Sequence, residues 1–136
     1  MIGIVIVAHG GLAREYLAAV EHVLGVKTDI RAIAMESDHN RKEKLREIGA
    51  AVDAADTGAG VAVVTDLFGG SPSNLSLPAC AQDDRWILYG ANLPMLIKLA
   101  KSRQLPIQDA VRAAIEAGKT YINARNISPD QGHKKI

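Results

Sequence analysis

The sequence predicts a doubly wound α/β domain of three layers, in which helices cover both faces of a mainly parallel four-stranded sheet. Four short apolar segments alternate with segments of helical periodicity, the pattern of a parallel sheet with right-handed crossovers. The 136 residues suffice for one domain with its own hydrophobic core. In small doubly wound domains the first and third strands are neighbours, and the predicted strand order is therefore 2-1-3-4.

The first predicted strand is the uncharged run over residues 2–8, which consists mainly of Ile and Val. Such a run is typical of a central parallel strand that is buried on both faces. It stops at His9, which two glycines follow. Ligands bind at the carboxyl ends of the strands in open α/β sheets, and glycine lets a partner approach the backbone. His9 is therefore the first candidate for a reactive group.

The next segments alternate between helix and strand. Residues 12–24 carry apolar side chains at helical spacing and end at Gly25, a common helix stop. Residues 29–35 alternate in polarity, as a strand near a sheet edge does, and residues 41–55 form a charged amphipathic helix. Residues 60–66 predict a second buried strand, which ends in an aspartate followed by a glycine-containing loop.

The second half of the chain begins with a helix signal at Ser71 and Pro72. Serine is a preferred N-cap and proline suits the first helical position, so a helix is predicted from there to about residue 81. The remaining predictions are a strand over 86–90, helices over 94–103 and 106–118, a short strand over 120–124, and a flexible tail over 128–136 after a domain of residues 1–127.

Composition and charge exclude several functional classes. The net charge is +1 without a long run of one sign, which indicates neither nucleic acid nor an anionic membrane surface as a partner. The N-terminus lacks the features of a signal peptide, and no apolar run approaches the ~20 residues of a membrane helix. We expect a cytoplasmic domain without direct membrane insertion. The single cysteine, Cys80, excludes an internal disulfide and is expected to pack as a small apolar residue.

The predicted topology brings His9, after the first strand, next to Asp66, after the third. If Asp66 accepts the Nδ1 proton of His9, the ring nitrogen Nε2 becomes an oriented nucleophile. Gly69, Gly70 and Ser71 supply backbone N–H groups and a helix N-terminus, which favour an anion. This arrangement predicts a phosphoryl group carried on the ring. Phosphoryl transfer needs mainly positioning and charge stabilisation, so neither a metal ion nor a cofactor is predicted.

Three motifs, IVIVAHG at 4–10, TDLFGGSPSN at 65–74 and GANLPML at 90–96, resemble the IIA component of mannose-family sugar phosphotransferase systems. The resemblance covers nearly the whole chain in the right order. It implies a phosphotransferase component in which His9 accepts a phosphoryl group from the phosphocarrier HPr and passes it to a IIB component. Asp66 would orient the ring, and Ser71 with the amides of Gly69 and Gly70 would contact the phosphoryl oxygens.

The resemblance also implies a homodimer in which a C-terminal strand is exchanged between subunits, a role that residues 120–124 could fill. Members of the family often continue into a IIB domain, whereas this sequence ends at Ile136. The acceptor is therefore expected on a separate chain, in carbohydrate uptake or in regulation.

Four alternative functions use parts of the same pattern. A receiver domain would phosphorylate Asp66, but its Mg²⁺ needs carboxylates after the first strand, where Ala8 and His9 stand. A histidine phosphatase typically has arginine in place of Ala8. A tetrapyrrole metal chelatase would require a second histidine or a carboxylate over an open cleft. A regulatory phosphohistidine module without a transport role needs the same site as a transport component, and the sequence does not separate the two.

The other histidines are weaker candidates than His9. His22 is predicted on a helix surface and His133 in the tail, while His39 follows the second strand and could lie at the same sheet edge. Arg14 and Asn92 could border the site, but a helix surface and a loop turn are sufficient to explain them.

Overall fold

A four-stranded, all-parallel sheet in the order β2-β1-β3-β4 forms the centre of the molecule. The computed structural model describes residues 1–129 and the backbone of residues 134–135. The predicted fold class and strand order are confirmed. The elements are β1 (Gly3–His9), α1 (Leu12–Leu24), β2 (Arg31–Met35), α2 (Arg41–Ala55), β3 (Val61–Thr65), α3 (Ser71–Ser76), a 3₁₀ helix (Pro78–Cys80), β4 (Arg85–Leu88), α4 (Leu93–Lys101), α5 (Ile107–Thr120), β5 (Arg125–Asn126) and β6 (Lys134–Lys135).

The two central strands are buried along their length, as their apolar sequences predict. Every residue of β1 except His9 is buried, and so are all five residues of β3. The parallel register pairs Val7 with Thr65. The residue after Thr65 therefore emerges at the same sheet edge as the end of β1.

Helices pack on both faces of the sheet, and the alternation of side chains along β1 divides the core into two clusters. Ile4 and Ile6 face one cluster with residues of α1, α4 and α5. Val5 and Val7 face the other with residues of α2 and α3. This is the doubly wound, three-layer arrangement. None of the helices in the described part of the chain is long and apolar enough to cross a lipid bilayer.

The amino end of β1 is held by the side chain and backbone of Arg103. The Arg103 Nε donates to the Ile2 carbonyl at 2.7 Å, and the Ile2 N–H donates to the Arg103 carbonyl at 3.0 Å. The guanidinium also pairs with Asp29. At the same end Gly3 packs on α2, where a Cβ would come within 2.2 Å of the Ala55 carbonyl oxygen. These contacts fix where the central strand starts.

The predicted helix over 71–81 is shorter and begins differently. It ends at Ser76, and a 3₁₀ helix follows from Pro78, which has no N–H to continue an α-helical ladder. Gly70 takes the N-cap position without a side-chain cap, so the prediction of Ser71 as N-cap is wrong. Ser71 is instead the first helical residue, and Pro72 is the second.

The short strand predicted over 120–124 is not found, and this prediction is wrong. Helix α5 runs to Thr120, and residues 121–124 form no regular element. The β-favouring side chains of Tyr121 and Ile122 are 73% and 75% exposed, because no sheet edge within the described part of the chain pairs with them. The structure holds one chain, so exchange of a strand between subunits stays a prediction.

The predicted tail, residues 128–136, is described only in part. The backbone of Lys134–Lys135 pairs antiparallel with Arg125–Asn126. Residues 130–133 and 136, which include His133, lie outside the described residues.

Candidate active site

His9 and Asp66 meet at the carboxyl edge of the sheet, although 57 positions separate them in the chain. The ring nitrogen Nδ1 of His9 lies 2.9 Å from Oδ2 of Asp66. The backbone N–H of His9 donates to the same oxygen at 3.1 Å. One carboxylate oxygen thus holds both the ring and the main chain of the histidine, in the juxtaposition that the topology predicts.

The electrostatics of the pair favour an ionised carboxylate. Burial of Asp66 acts to raise its pKa, but the hydrogen bonds from the ring and backbone of His9 outweigh burial. The pKa of Asp66 therefore lies below its ordinary value. An ionised Asp66 accepts a hydrogen bond from Nδ1–H, which leaves Nε2 as the nitrogen with a free electron pair. The His9 side chain is 49% exposed, so a reaction partner can approach it.

The other carboxylate oxygen of Asp66, Oδ1, is buried and has no hydrogen-bond partner among the described residues. An unpaired buried acceptor is costly, and in native structures it often marks a strained or functional position. Asp66 is thus held through one of its two oxygens. The His9–Asp66 pair therefore contains one buried acceptor that no hydrogen bond satisfies among the described residues.

Tyr16 on α1 lies near the carboxylate of Asp66, although its place in the sequence does not mark it as a site residue. Its hydroxyl donates to the Ala91 carbonyl at 3.0 Å. Burial raises the pKa of Tyr16, and the negative charge of Asp66 raises it further. The periodicity of α1 places Tyr16 on the apolar face, where it resembles any core aromatic residue. The available signal was its hydroxyl, because a buried tyrosine usually needs a hydrogen-bond partner.

The loop after β3 brings Gly70 against the His9 ring. A Cβ on Gly70 would come within 3.1 Å of Cε1 and 3.4 Å of Nε2, so only glycine leaves this side of the ring uncrowded. Gly69 has a φ of 87°, a left-handed conformation that favours glycine. Its N–H donates to Ser73 Oγ at 3.0 Å and is therefore already engaged. Ser71 is exposed, and its side chain makes no hydrogen bond with the described part of the chain.

Apolar side chains border the site, which the sequence analysis did not anticipate. Leu67 and Phe68, in the same loop, are 58% and 80% exposed. The ring of Phe68 packs edge-to-face on Tyr89, which follows β4, with ring centroids 4.9 Å apart. We call Leu67, Phe68 and Tyr89 the apolar rim. Exposed apolar residues that lie together often mark surfaces for protein contacts.

The weaker candidates have structural explanations. Asn92 caps α4 by accepting from the Met95 N–H at 3.0 Å, and it also donates to the Gly118 carbonyl. His39 Nδ1 contacts the Glu36 carbonyl at 2.8 Å in the loop after β2. Among the described residues, neither side chain forms a hydrogen bond with His9 or Asp66. Arg14 and His22 are exposed on α1.

Cys80 and the acidic side chains supply no further reactive centre. Burial raises the pKa of the Cys80 thiol to about 11, in keeping with a small apolar role. Throughout the described ranges, no group of three histidine, cysteine, aspartate or glutamate side chains is arranged to hold a metal ion.

Comparison with protein families gives a match over most of the chain. The family model EIIA-man, described as "PTS system fructose IIA component", matches residues 3–116. The mannose-specific EIIAB component of the phosphotransferase system from Escherichia coli K12 is 28% identical over 131 residues, which cover 94% of this chain and 41% of that protein. The corresponding protein of Shigella flexneri matches equally well. The chain thus spans about two fifths of the length of these curated relatives.

Solved structures of similar proteins share the fold. The phosphotransferase system component EIIA from Streptococcus agalactiae is 28% identical, with a TM-score of 0.76 over 87% of this chain and 92% of that one. The PTS IIA protein associated with the fucose utilization operon of Streptococcus pneumoniae is 30% identical, with a TM-score of 0.75 over 85% and 90%. The mannose/sorbose-specific IIA subunit of Enterococcus faecalis is 21% identical but superposes with a TM-score of 0.82 over 93% and 96%, which shows the fold.

Proposed function

The chain belongs to the EIIA-man family, the IIA components of sugar phosphotransferase systems, and we propose that it carries the phosphoryl group on His9. The observation that carries this proposal is the contact between His9 Nδ1 and Asp66 Oδ2 at 2.9 Å. That contact orients the ring with Nε2 toward the exposed side of the strand end. His9 is the histidine whose ring is both oriented by a carboxylate and half exposed in the described part of the chain.

The proposed reaction is an in-line transfer between two nitrogen atoms. The electron pair of Nε2 attacks the phosphorus of a phosphohistidine on the donor, the N–P bond to the donor breaks, and its electron pair returns to the donor ring. The Nδ1 proton stays on His9, whose ring becomes a phosphorylated imidazolium. Asp66 stabilises that positive charge through its Oδ2. The reverse sequence delivers the group to an acceptor.

The glycine loop is the proposed binding region for the phosphoryl oxygens. Gly70 leaves space beside Nε2, and Ser71 offers an exposed hydroxyl at the start of α3. Backbone N–H groups in such loops bind anions well. Gly69 contributes its N–H only after its bond to Ser73 Oγ breaks, so its role in the unphosphorylated state is conformational.

The partners in this proposal are HPr as donor and a IIB component as acceptor. The apolar rim lies beside His9 and offers both proteins an exposed surface with two packed aromatic rings. A homodimer also belongs to the proposal, because Tyr121, Ile122 and Ile127 are more than two-thirds exposed and a second copy would cover them. Donor and acceptor together imply a cytoplasmic location.

The test is phosphorylation of the full chain by phosphoenolpyruvate, enzyme I and HPr, followed by intact-mass and peptide analysis at neutral to alkaline pH. We expect one added phosphoryl group on the His9 peptide, absent when HPr is omitted. His9→Ala should abolish the label, whereas the matched control His39→Ala should retain it. Absence of label on the folded wild-type protein, or its presence on another residue, would overturn the assignment.

A further inference from the structure

Two hydrogen bonds, both made by the backbone of Ala91, connect α1 to the residue that precedes Asp66. The Tyr16 hydroxyl donates to the Ala91 carbonyl at 3.0 Å. The N–H of the same residue, Ala91, donates to the carbonyl of Thr65 at 3.0 Å. Thr65 is fully buried at the end of β3 and directly precedes Asp66.

From this path we propose that Tyr16 is a positioning residue for phosphoryl transfer, whose hydroxyl keeps Asp66 aligned with the His9 ring. The inference rests on the proposed function of His9. Tyr16 touches neither the phosphoryl group nor the ring. It acts through the loop after β4, which it fixes against the last residue of β3.

The need for such a support follows from how Asp66 is held. The two hydrogen bonds that His9 donates to Asp66, from its ring and its backbone N–H, both end on Oδ2. Oδ1 is buried without a partner among the described residues, so it does not restrain rotation of the carboxylate. The position of the aspartate therefore depends on the main chain that carries it, and Ala91 anchors that main chain.

Tyr16 is suited to this role because its hydroxyl stays neutral. Burial and the nearby Asp66 charge both raise the pKa of Tyr16, so it remains a hydrogen-bond donor when Asp66 is ionised. The charge of Asp66 thus interacts with the Tyr16 hydroxyl through space, in addition to the connection through the backbone of Ala91. The aromatic ring meanwhile packs against the core cluster under α1.

A purely structural role for Tyr16 predicts a different result from a positioning role. If the ring only fills space, Tyr16→Phe leaves the active site unchanged, because the substitution keeps the ring and removes one oxygen. If the hydroxyl aligns Asp66, the same substitution weakens the contact between Oδ2 and Nδ1. The proton of the neutral His9 ring then divides between its two nitrogens.

The experiment uses the full chain with ¹⁵N-labelled histidine and compares wild type, Tyr16→Phe and the control Tyr121→Phe. Tyr121 is 73% exposed beyond α5 and lies outside the path through Ala91, so Tyr121→Phe is a matched removal of a tyrosine hydroxyl. The ring ¹⁵N shifts of His9, assigned with His9→Ala, report the tautomer at a pH where the ring is neutral. Rapid-quench labelling from phospho-HPr reports the rate of transfer.

We expect Tyr16→Phe to lower the transfer rate about three- to tenfold, the loss typical of one neutral hydrogen bond. The Nε2–H tautomer should appear beside the Nδ1–H form, while Tyr121→Phe matches wild type in both measurements. An unchanged tautomer ratio in Tyr16→Phe would overturn the inference whatever the rate, and an unchanged rate would do the same. Failure of the proposed function looks different, since wild type would then not be labelled while the ¹⁵N spectra would still report on Tyr16.

Discussion

The two ends of β1 each carry a contact between a basic side chain and a carboxylate, but the contacts are built differently. At the amino end Arg103 is buried, pairs with Asp29 and donates to the Ile2 carbonyl at 2.7 Å. At the carboxyl end His9 is half exposed and meets a carboxylate of which one buried oxygen lacks a partner among the described residues. The first contact holds the start of β1 in place. The second contact leaves one carboxylate oxygen without a hydrogen-bond partner among the described residues.

The difference supports the proposal that the His9–Asp66 contact serves chemistry, whereas the Arg103 contact serves stability. A charged pair whose donors and acceptors are all hydrogen-bonded within the protein has few free groups with which to bind a ligand. A pair with an open ring nitrogen and an unpaired carboxylate oxygen is poised to respond when charge develops beside it. The same strand supports both, because its buried, rigid middle separates the two ends.

The largest expected effect comes from Asp66→Asn, which removes the charge but keeps the shape of the side chain. Phosphoryl transfer should slow by roughly 100- to 1,000-fold, because the phosphorylated imidazolium loses its counter-charge and the ring its fixed tautomer. Rapid-quench labelling from phospho-HPr measures the rate. The matched variant Asp29→Asn, at the other end of β1, should transfer at the wild-type rate. Equal transfer rates for Asp66→Asn and wild type would show that Asp66 does not orient the His9 ring for transfer.

The second-largest effect is expected for Arg103→Ala, and it concerns stability instead of phosphoryl transfer. The free energy of unfolding should fall by about 1.5–3 kcal/mol, the usual loss for a hydrogen bond that involves a charged group. Transfer measured below the melting transition should stay within about twofold of wild type, since no part of the site touches Arg103. Urea denaturation and labelling on the same preparation check both halves. A large loss of transfer in a folded Arg103→Ala protein would show that the two ends of β1 do not have separate roles.

The smallest effect concerns acid stability. The His9 contact outweighs burial and lowers the pKa of Asp66, and the hydrogen bond from Arg103 lowers that of Asp29. A lowered folded-state pKa means that each carboxylate stabilises the fold above its unfolded value of about 4 and loses this contribution as the pH falls through the folded value.

Because Asp29 is 66% exposed, solvent screens its interaction more than that of Asp66. Urea unfolding between about pH 5 and about pH 3 should therefore show a flatter acid limb for Asp66→Asn than for Asp29→Asn. The reverse order would show that the amino-terminal pair contributes more of the acid sensitivity.

Long, strongly periodic segments of the fold were predictable from the sequence. The helices over 12–24 and 41–55 have the bounds that their patterns predict. The central strands were marked by uncharged Ile and Val runs. Short segments were predicted less well, because one or two local residues decide them: the cap of α3 is Gly70 instead of Ser71, and the β-like run after Thr120 lacks an edge to pair with.

The juxtaposition of His9 and Asp66 was predictable from the sequence, whereas the hydrogen bonds around the pair were not. His9 and Asp66 could be identified because each is a polar residue at the end of a buried apolar strand, where ligands bind in open α/β sheets. Tyr16 could not, because its partner Ala91 is 75 positions away and offers only a backbone carbonyl. The engagement of the Gly69 N–H by Ser73 likewise depends on the loop conformation, which the composition of the loop leaves open.

The sequence by itself determined the fold class, the order of the strands and the two polar strand ends, because these follow from local periodicity and from the general rules of parallel sheets. It also carried the motifs by which the family is identified, and the predicted place among phosphocarrier components of sugar phosphotransferase systems is confirmed at the level of that family. Only the tertiary structure decided which atoms are satisfied: the paired Oδ2 and unpaired Oδ1 of Asp66, and the reach of Tyr16 to Ala91. Hydrogen bonds between distant residues depend on distances of tenths of an ångström, which a one-dimensional pattern does not encode.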